Sequence, residues 1–201
     1  MYPYNHKMGQ KIQTDVDGVA VDRSFMAHFQ VPAASAVLGT AAAAHAAIAC
    51  AVTPVVVTTA FTNPAAPRNV TATAGGTAGD IKAVQVVVEG TNYADEVITE
   101  TLPAFTVDTA GIVTGSKAFK TITKVTIPAM DGAGATVTIG FGAKLGLPYK
   151  LTHNTVLHAF LDNAREGTAP TVTVSATALE SNTITLNSAL NAKIVDAYLI
   201  V

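Results

Sequence analysis

From Thr53 to Val201 the chain is a succession of short β-branched runs, and this pattern limits its fold more than any other feature. "TPVVVTTAF" is bounded by Pro54. "RNVTATA" sets Val70, Ala72 and Ala74 against Thr71 and Thr73. "IKAVQVVVEG" alternates Lys82, Val84, Val86 and Val88 with Ala83, Gln85, Val87 and Glu89. The polar "GTNYAD" and the run "EVITETL" follow, the mark of a hairpin. "AFKTITKVTIPA", "ATVTIGFG", "TVLHAFLD", "PTVTVSATAL", "NTITLN" and "KIVDAYLIV" continue the series. Runs about every 10 to 15 residues, with turn residues between them, predict a mainly β chain built as an antiparallel sandwich or barrel. Threonine is abundant because it fits the half-buried face of a pleated strand.

The N-terminal quarter reads differently. No charged residue lies between Arg23 and Arg68, and charged residues are 13% of the whole chain, about half the globular norm. A long uncharged run raises the question of a membrane. A signal peptide needs early positive charge and then an apolar core, whereas Asp15, Asp17 and Asp22 lie in the first 30 residues. A spanning helix needs about 20 strongly apolar residues. Between Ala33 and Val52 the strong contributors are Val37, Leu38, Ile48 and Val52, worth roughly −1 to −2.5 kcal/mol together on the insertion scale. Pro54 then stops any helix. The expectation is an Ala-rich helix or extended arm packed against protein, with no membrane partner. Three regions follow: residues 1–52 as an N-terminal arm, 53–148 as a β-sandwich, and 149–201 as a C-terminal β-region that completes the sandwich or forms a small second unit. The glycines of "GFGAKLGLPYK" (Gly140 to Lys150) mark the boundary between the last two.

Candidate chemistry is sparse. The net charge is −2 with scattered Lys and Arg, which gives nucleic-acid binding no basic stripe. The lone Cys50 sits in "AIACAV" and reads as a buried small hydrophobe, with His45 as its one local activator. "DVDG" (Asp15 to Gly18) lacks the later ligands of a calcium loop. "GFGAKLG" (Gly140 to Gly146) has the wrong spacing for a dinucleotide loop and no helix after it. His6, His28, His45, His153 and His158 form no metal-ligand spacing with carboxylates or cysteine. Asp95, Glu96 and Glu100 read as a solvated turn and strand face. Asn69-Val70-Thr71 matches the glycosylation sequon. No cofactor is expected, and a structural or binding role suits the chain better than an enzymatic one.

The segments "NPAAPRNVTATAGG", "IKAVQVVVEGTNYADEVITETLPA", "KAFKTITKVTIPA" and "ATVTIGFGAKLGLP" carry a resemblance. Their order, across residues 63 to 148, is similar to a pattern seen in virion structural proteins of tailed bacteriophages. Tyr93-Ala94 stand where that pattern has a turn glycine. The resemblance implies a β-sandwich in a phage particle, most readily a head decoration or cement protein on the capsid surface, made in the host cytoplasm before assembly. Its partners would be the major capsid protein and its own copies, as a homotrimer. A tail or connector protein is the alternative, and a carbohydrate-binding β-module a further one, disfavoured by the absence of Trp. The N-terminal arm would be exchanged between neighbouring subunits, and the apolar end "AKIVDAYLIV" would be paired inside the assembly. Phe25, Phe29 and Leu38 are the expected anchors of the arm, and Arg68, Leu147 and Tyr149 complete the candidate subunit or capsid interface.

Overall fold

The protein was studied as a computed structural model, which describes residues 25–201 and, ahead of them, only the pairing of β1 (Ile12–Gln13) with β2 (Ala20–Val21). The "DVDG" segment and His6 lie outside the described residues. The chain is mainly β and every strand pair is antiparallel.

Three larger sheets form the molecule. The first runs β5 (Val55–Val57), β10 (Thr121–Ile127), β7 (Val87–Thr91), β8 (Val97–Thr101). The second runs β14 (Thr171–Thr173), β15 (Thr183–Thr185), β11 (Ala135–Gly146), β6 (Arg68–Gly76), β9 (Gly111–Phe119), with β4 (His45–Ala49) also paired to β11. The third runs β13 (Ala164–Arg165), β12 (Val156–Leu161), β16 (Val195–Ile200), β3 (Met26–Val31).

Two hydrophobic cores lie between these sheets. In the first, Val70, Ala72 and Ala74 of β6 and Val137 and Ile139 of β11 meet Val88, Ile98, Val125 and Ile127 of the first sheet. The alternation read from "RNVTATA" is the inward and outward alternation of β6. In the second, Leu145 and Ile184 meet Phe29, Val31, Ala159, Leu161, Val195, Ala197 and Leu199 of the third sheet. Each such Val, Leu, Ile or Phe side chain contributes roughly 1.5–3 kcal/mol on leaving water, and each alanine less.

β11 passes from one core to the other. Ala135, Val137 and Ile139 belong to the first and Leu145 to the second. The glycines expected to interrupt a strand therefore lie within one. They are needed for close approach: a Cβ on Gly140 would run into Thr40 and Ala41, and one on Gly142 into the Asn69 amide. A glycine that lets two chain segments touch reads in sequence like a glycine that turns the chain.

Residues 25–52 of the expected arm are built into the fold. β3 pairs with β16 in unbroken register from Val31–Val195 to Met26–Ile200, and Phe25 and Val201 exchange backbone hydrogen bonds at 2.8 and 2.9 Å. β16 is thus covered on both edges by its own chain, β12 on one side and β3 on the other. The Ala-rich segment holds no helix between residues 33 and 52. It turns after Pro32 and enters β4, a strand ahead of the one expected at residue 53.

The 92–96 hairpin forms as expected. Asn92, wholly buried, accepts hydrogen bonds at Oδ1 from the Ala94 and Glu96 amides. The left-handed residue is Asp95 (φ 63°), so Tyr93-Ala94 need no glycine. The β12–β13 hairpin turns on Asp162 and Asn163, both at positive φ, as a two-residue primed turn requires.

Candidate assembly interface

The six residues expected at an interface divide evenly. Phe25 and Leu38 are exposed and Tyr149 is half-buried. Phe29, Arg68 and Leu147 are interior, which corrects their assignment to a surface. Phe29 and Leu147 belong to the second core, Phe29 turned inward on β3 and Leu147 directly after the end of β11. Arg68 is 1% exposed and sits where β6 leaves the first core. Its Nε donates to the Gly142 carbonyl at 2.7 Å and its Nη1 to the Val37 carbonyl at 2.9 Å. Nη2 has no partner among the described residues, and burial pushes the guanidinium pKa down.

Arg68 is one of several polar ties along the seam between the two cores. Asn69, fully buried, donates to the Gly115 carbonyl at 3.0 Å and accepts from the Lys144 amide at 3.0 Å. Its amide is therefore closed to a glycosyltransferase in the folded chain. Glu180 lies 3.4 Å from Lys117 Nζ and accepts from Asn92 Nδ2 at 3.4 Å. Burial alone would raise its pKa, but its backbone bond and the bonds and charge of Asn92 and Lys117 hold it below the ordinary carboxylate value. Glu100 corrects a second expectation. It is inward, 8% exposed, and accepts from the Ser116 amide (2.6 Å), the Ser116 hydroxyl (2.8 Å) and the Lys117 amide (3.2 Å). A carboxylate thus satisfies amides of β9 where β8 approaches it. Asp95 remains on the surface, paired with Lys120 at 2.7 Å.

The outer faces carry what is left for recognition. On the third sheet, His28 and Gln30 of β3, Asp196 and Tyr198 of β16, and His158 and Phe160 of β12 point outward. His28 Nε2 lies 2.7 Å from Asp196 Oδ1, and Gln30 Nε2 donates to the same oxygen at 2.8 Å. The His28 and Tyr198 rings stack at 4.8 Å, and Phe160 meets Tyr198 edge-on at 6.0 Å. The sequence reading missed this cluster, although "DAYLI" alternates as a strand with Asp196 and Tyr198 on one face. On the first sheet, Glu89 and Lys124 pair at 2.8 Å across β7 and β10. On the second sheet, Thr71 and Thr73 of β6, Thr136 and Thr138 of β11 and Ile112 and Thr114 of β9 face away from the first core, and residues 40–41 lie against Gly140 on that side.

Several edge strands expose apolar side chains: Val56 of β5 at 53%, Val97 of β8 at 83% and Ile112 of β9 at 59%. Among the described residues no group of three or more His, Cys, Asp and Glu is placed to hold a metal. No described helix is long and apolar enough to cross a membrane. Cys50 is buried, which pushes its thiol pKa up and disfavours the thiolate. His45 instead accepts a place beside Phe61, 5.4 Å between centroids, with Nδ1 at 2.8 Å from the Ala46 carbonyl. Compared with protein-family models, with curated proteins and with solved structures, the chain matches none.

Proposed function

We propose that this chain is a non-enzymatic structural subunit of a tailed-phage particle, a head decoration protein that binds the major capsid protein and its own copies. The observation that carries the reading is the set of apolar edge strands. Val56, Val97 and Ile112 stand on the outer strands β5, β8 and β9. Uncovered apolar edges are an aggregation hazard in a free protein and a binding surface in an assembly. The low charge and the resemblance of residues 63–148 to virion structural proteins support the same reading. Exposed Phe25 and Leu38 remain available as contacts, and the seam ties brace the two cores against load.

Antibody labelling of virions in negative stain tests the role. Label over the head, together with co-sedimentation of the purified protein with expanded empty heads, is the expected result. Label confined to the tail would replace it with a tail or connector role. No label on any virion structure would overturn both.

A further inference from the structure

The period-two alternation that turns Val195, Ala197 and Leu199 of β16 into the second core leaves Asp196 and Tyr198 on the outer face of the third sheet. Cross-strand register sets Phe160 of β12 and Gln30 of β3 on either side of Asp196. Asp196 is only 8% exposed although it points outward. Its Oδ1 takes both neighbouring donors, His28 Nε2 at 2.7 Å and Gln30 Nε2 at 2.8 Å, while Oδ2 has no hydrogen-bond partner among the described residues. A carboxylate accepts about four hydrogen bonds. Two donors on one oxygen therefore fix its plane and leave the other oxygen for a ligand. Asp196 lines an open depression of about 200 Å³ together with Phe160, Asn163 and Tyr198. Phe160 and Tyr198 stand at 89° to each other with centroids 6.0 Å apart, so two ring walls meet at a corner. His28 stacks on Tyr198 at 4.8 Å and steadies that ring. Asn163, at φ 63° in the tight β12–β13 turn, adds an amide.

We infer that this depression binds a neutral sugar ring. Charge selects the ligand class. Arg165 is the cross-strand partner of Phe160 and forms no ion pair among the described residues. A cationic ligand would meet Arg165 beside the site, and an anionic one would meet Asp196. A hydroxyl both donates and accepts. A polyol therefore gives to the Asp196 carboxylate and takes from the N–H groups of Asn163 and Arg165. A sugar ring also carries C–H faces that pack on aromatic rings, and the corner of Phe160 and Tyr198 offers them that surface. The absence of tryptophan weighs against a carbohydrate-binding module in the sequence alone. Here the rings come from β12, β16 and β3, and only strand pairing brings them together. The inference does not rest on the head role.

Saturation-transfer NMR on the full chain gives the test, with the methyl glycosides of glucose, galactose, mannose and N-acetylglucosamine as probes. At least one is expected to bind with a Kd on the order of 1 mM, the strength that a shallow site with few contacts allows. Asp196→Asn and Phe160→Ala are expected to weaken that binding by about tenfold or more. Asn163→Gly is expected to weaken it by about threefold to tenfold. The positive φ of Asn163 suits glycine, so this variant keeps its turn. Val97→Ser, at an 83% exposed site on the first sheet, is expected to leave binding unchanged. Circular dichroism identifies a misfolded Asp196→Asn or Phe160→Ala, in which case Asn163→Gly decides. No binding by any of these glycosides at about tenfold above that Kd overturns the inference. So does binding indifferent to every folded site variant. Arginine amide or acetate bound in place of the glycosides, with the same dependence on Asp196, overturns the neutral class. Virion labelling and glycoside binding are read separately, so the head role and the sugar site can each fail alone.

Discussion

The outer faces of the second and third sheets are built alike and finished differently. Both alternate apolar side chains inward with smaller or polar ones outward. On the third sheet the outward groups satisfy one another: Asp196 receives both His28 and Gln30, and Tyr198 stacks on His28. On the second sheet the hydroxyls of Thr71, Thr73 and Thr138 are buried and have no hydrogen-bond partner among the described residues. The lesson is that strand alternation decides which face is outward, while the residue types on that face decide whether its polar groups find partners there.

The strongest attempt to break this comparison goes through Asn182, fully buried beneath the third sheet's core. Its Oδ1 accepts from Leu151 and Ser175, and its Nδ2 donates to the carbonyls of Ser175, Ala178 and Leu179. Asn182→Ala strands those groups and is expected to cost on the order of 3 kcal/mol. Hydrogen exchange would show β12 and β16 losing protection while β6 and β11 keep theirs. Equal loss in all four would mean the two regions unfold as one, and that the faces cannot be treated separately.

A paired substitution sharpens the contrast directly. Asp196→Ala removes the common acceptor of His28 and Gln30 and is expected to lower stability by about 1–2 kcal/mol. Thr138→Val deletes an unpaired hydroxyl at nearly constant shape, so the isolated chain should change by less than about 0.5 kcal/mol or gain stability. Chemical denaturation measures both. A Thr138→Val loss as large as that of Asp196→Ala would show the two faces to be equally satisfied.

A modest, pH-dependent effect concerns the seam that joins the two regions. Because the Glu180 carboxyl is held below its ordinary value, its contribution is present at neutral pH, above the unfolded value. It is lost as pH falls through the lower folded value. Glu180→Gln should cost about 1 kcal/mol at pH 7. Its melting temperature should converge on that of the wild type as the buffer is acidified. A constant difference from pH 7 to strongly acid buffer would assign Glu180 no ionic part in the seam.

The strand runs around residues 68–76, 97–101 and 121–127 were legible because period-two alternation is a local property. The hairpin at Asn92 was legible for the same reason, since an Asx turn closes within four residues. Arg68 and Glu100 were misread because their partners are remote. Gly142 and Val37 flank Arg68 only after β11 and the segment following Pro32 are in place. Glu100 meets Ser116 only where two sheet edges approach. The third sheet's outer cluster was missed because His28 and Asp196 are separated by 168 positions.

The amino-acid sequence by itself determined the β class, the alternation within each strand and the scarcity of charge, because these depend on residue type and near-neighbour spacing. Only the tertiary structure decided that the uncharged N-terminal segment is shared among three sheets, through β3, β4 and β5. It alone decided that the Gly140–Gly146 glycines lie inside a strand bridging two cores, and that Thr73 of β6 and Thr138 of β11 stand side by side. The physical reason is that strand register and sheet order are set by pairings between distant segments. Those pairings decide which outward rows become neighbours.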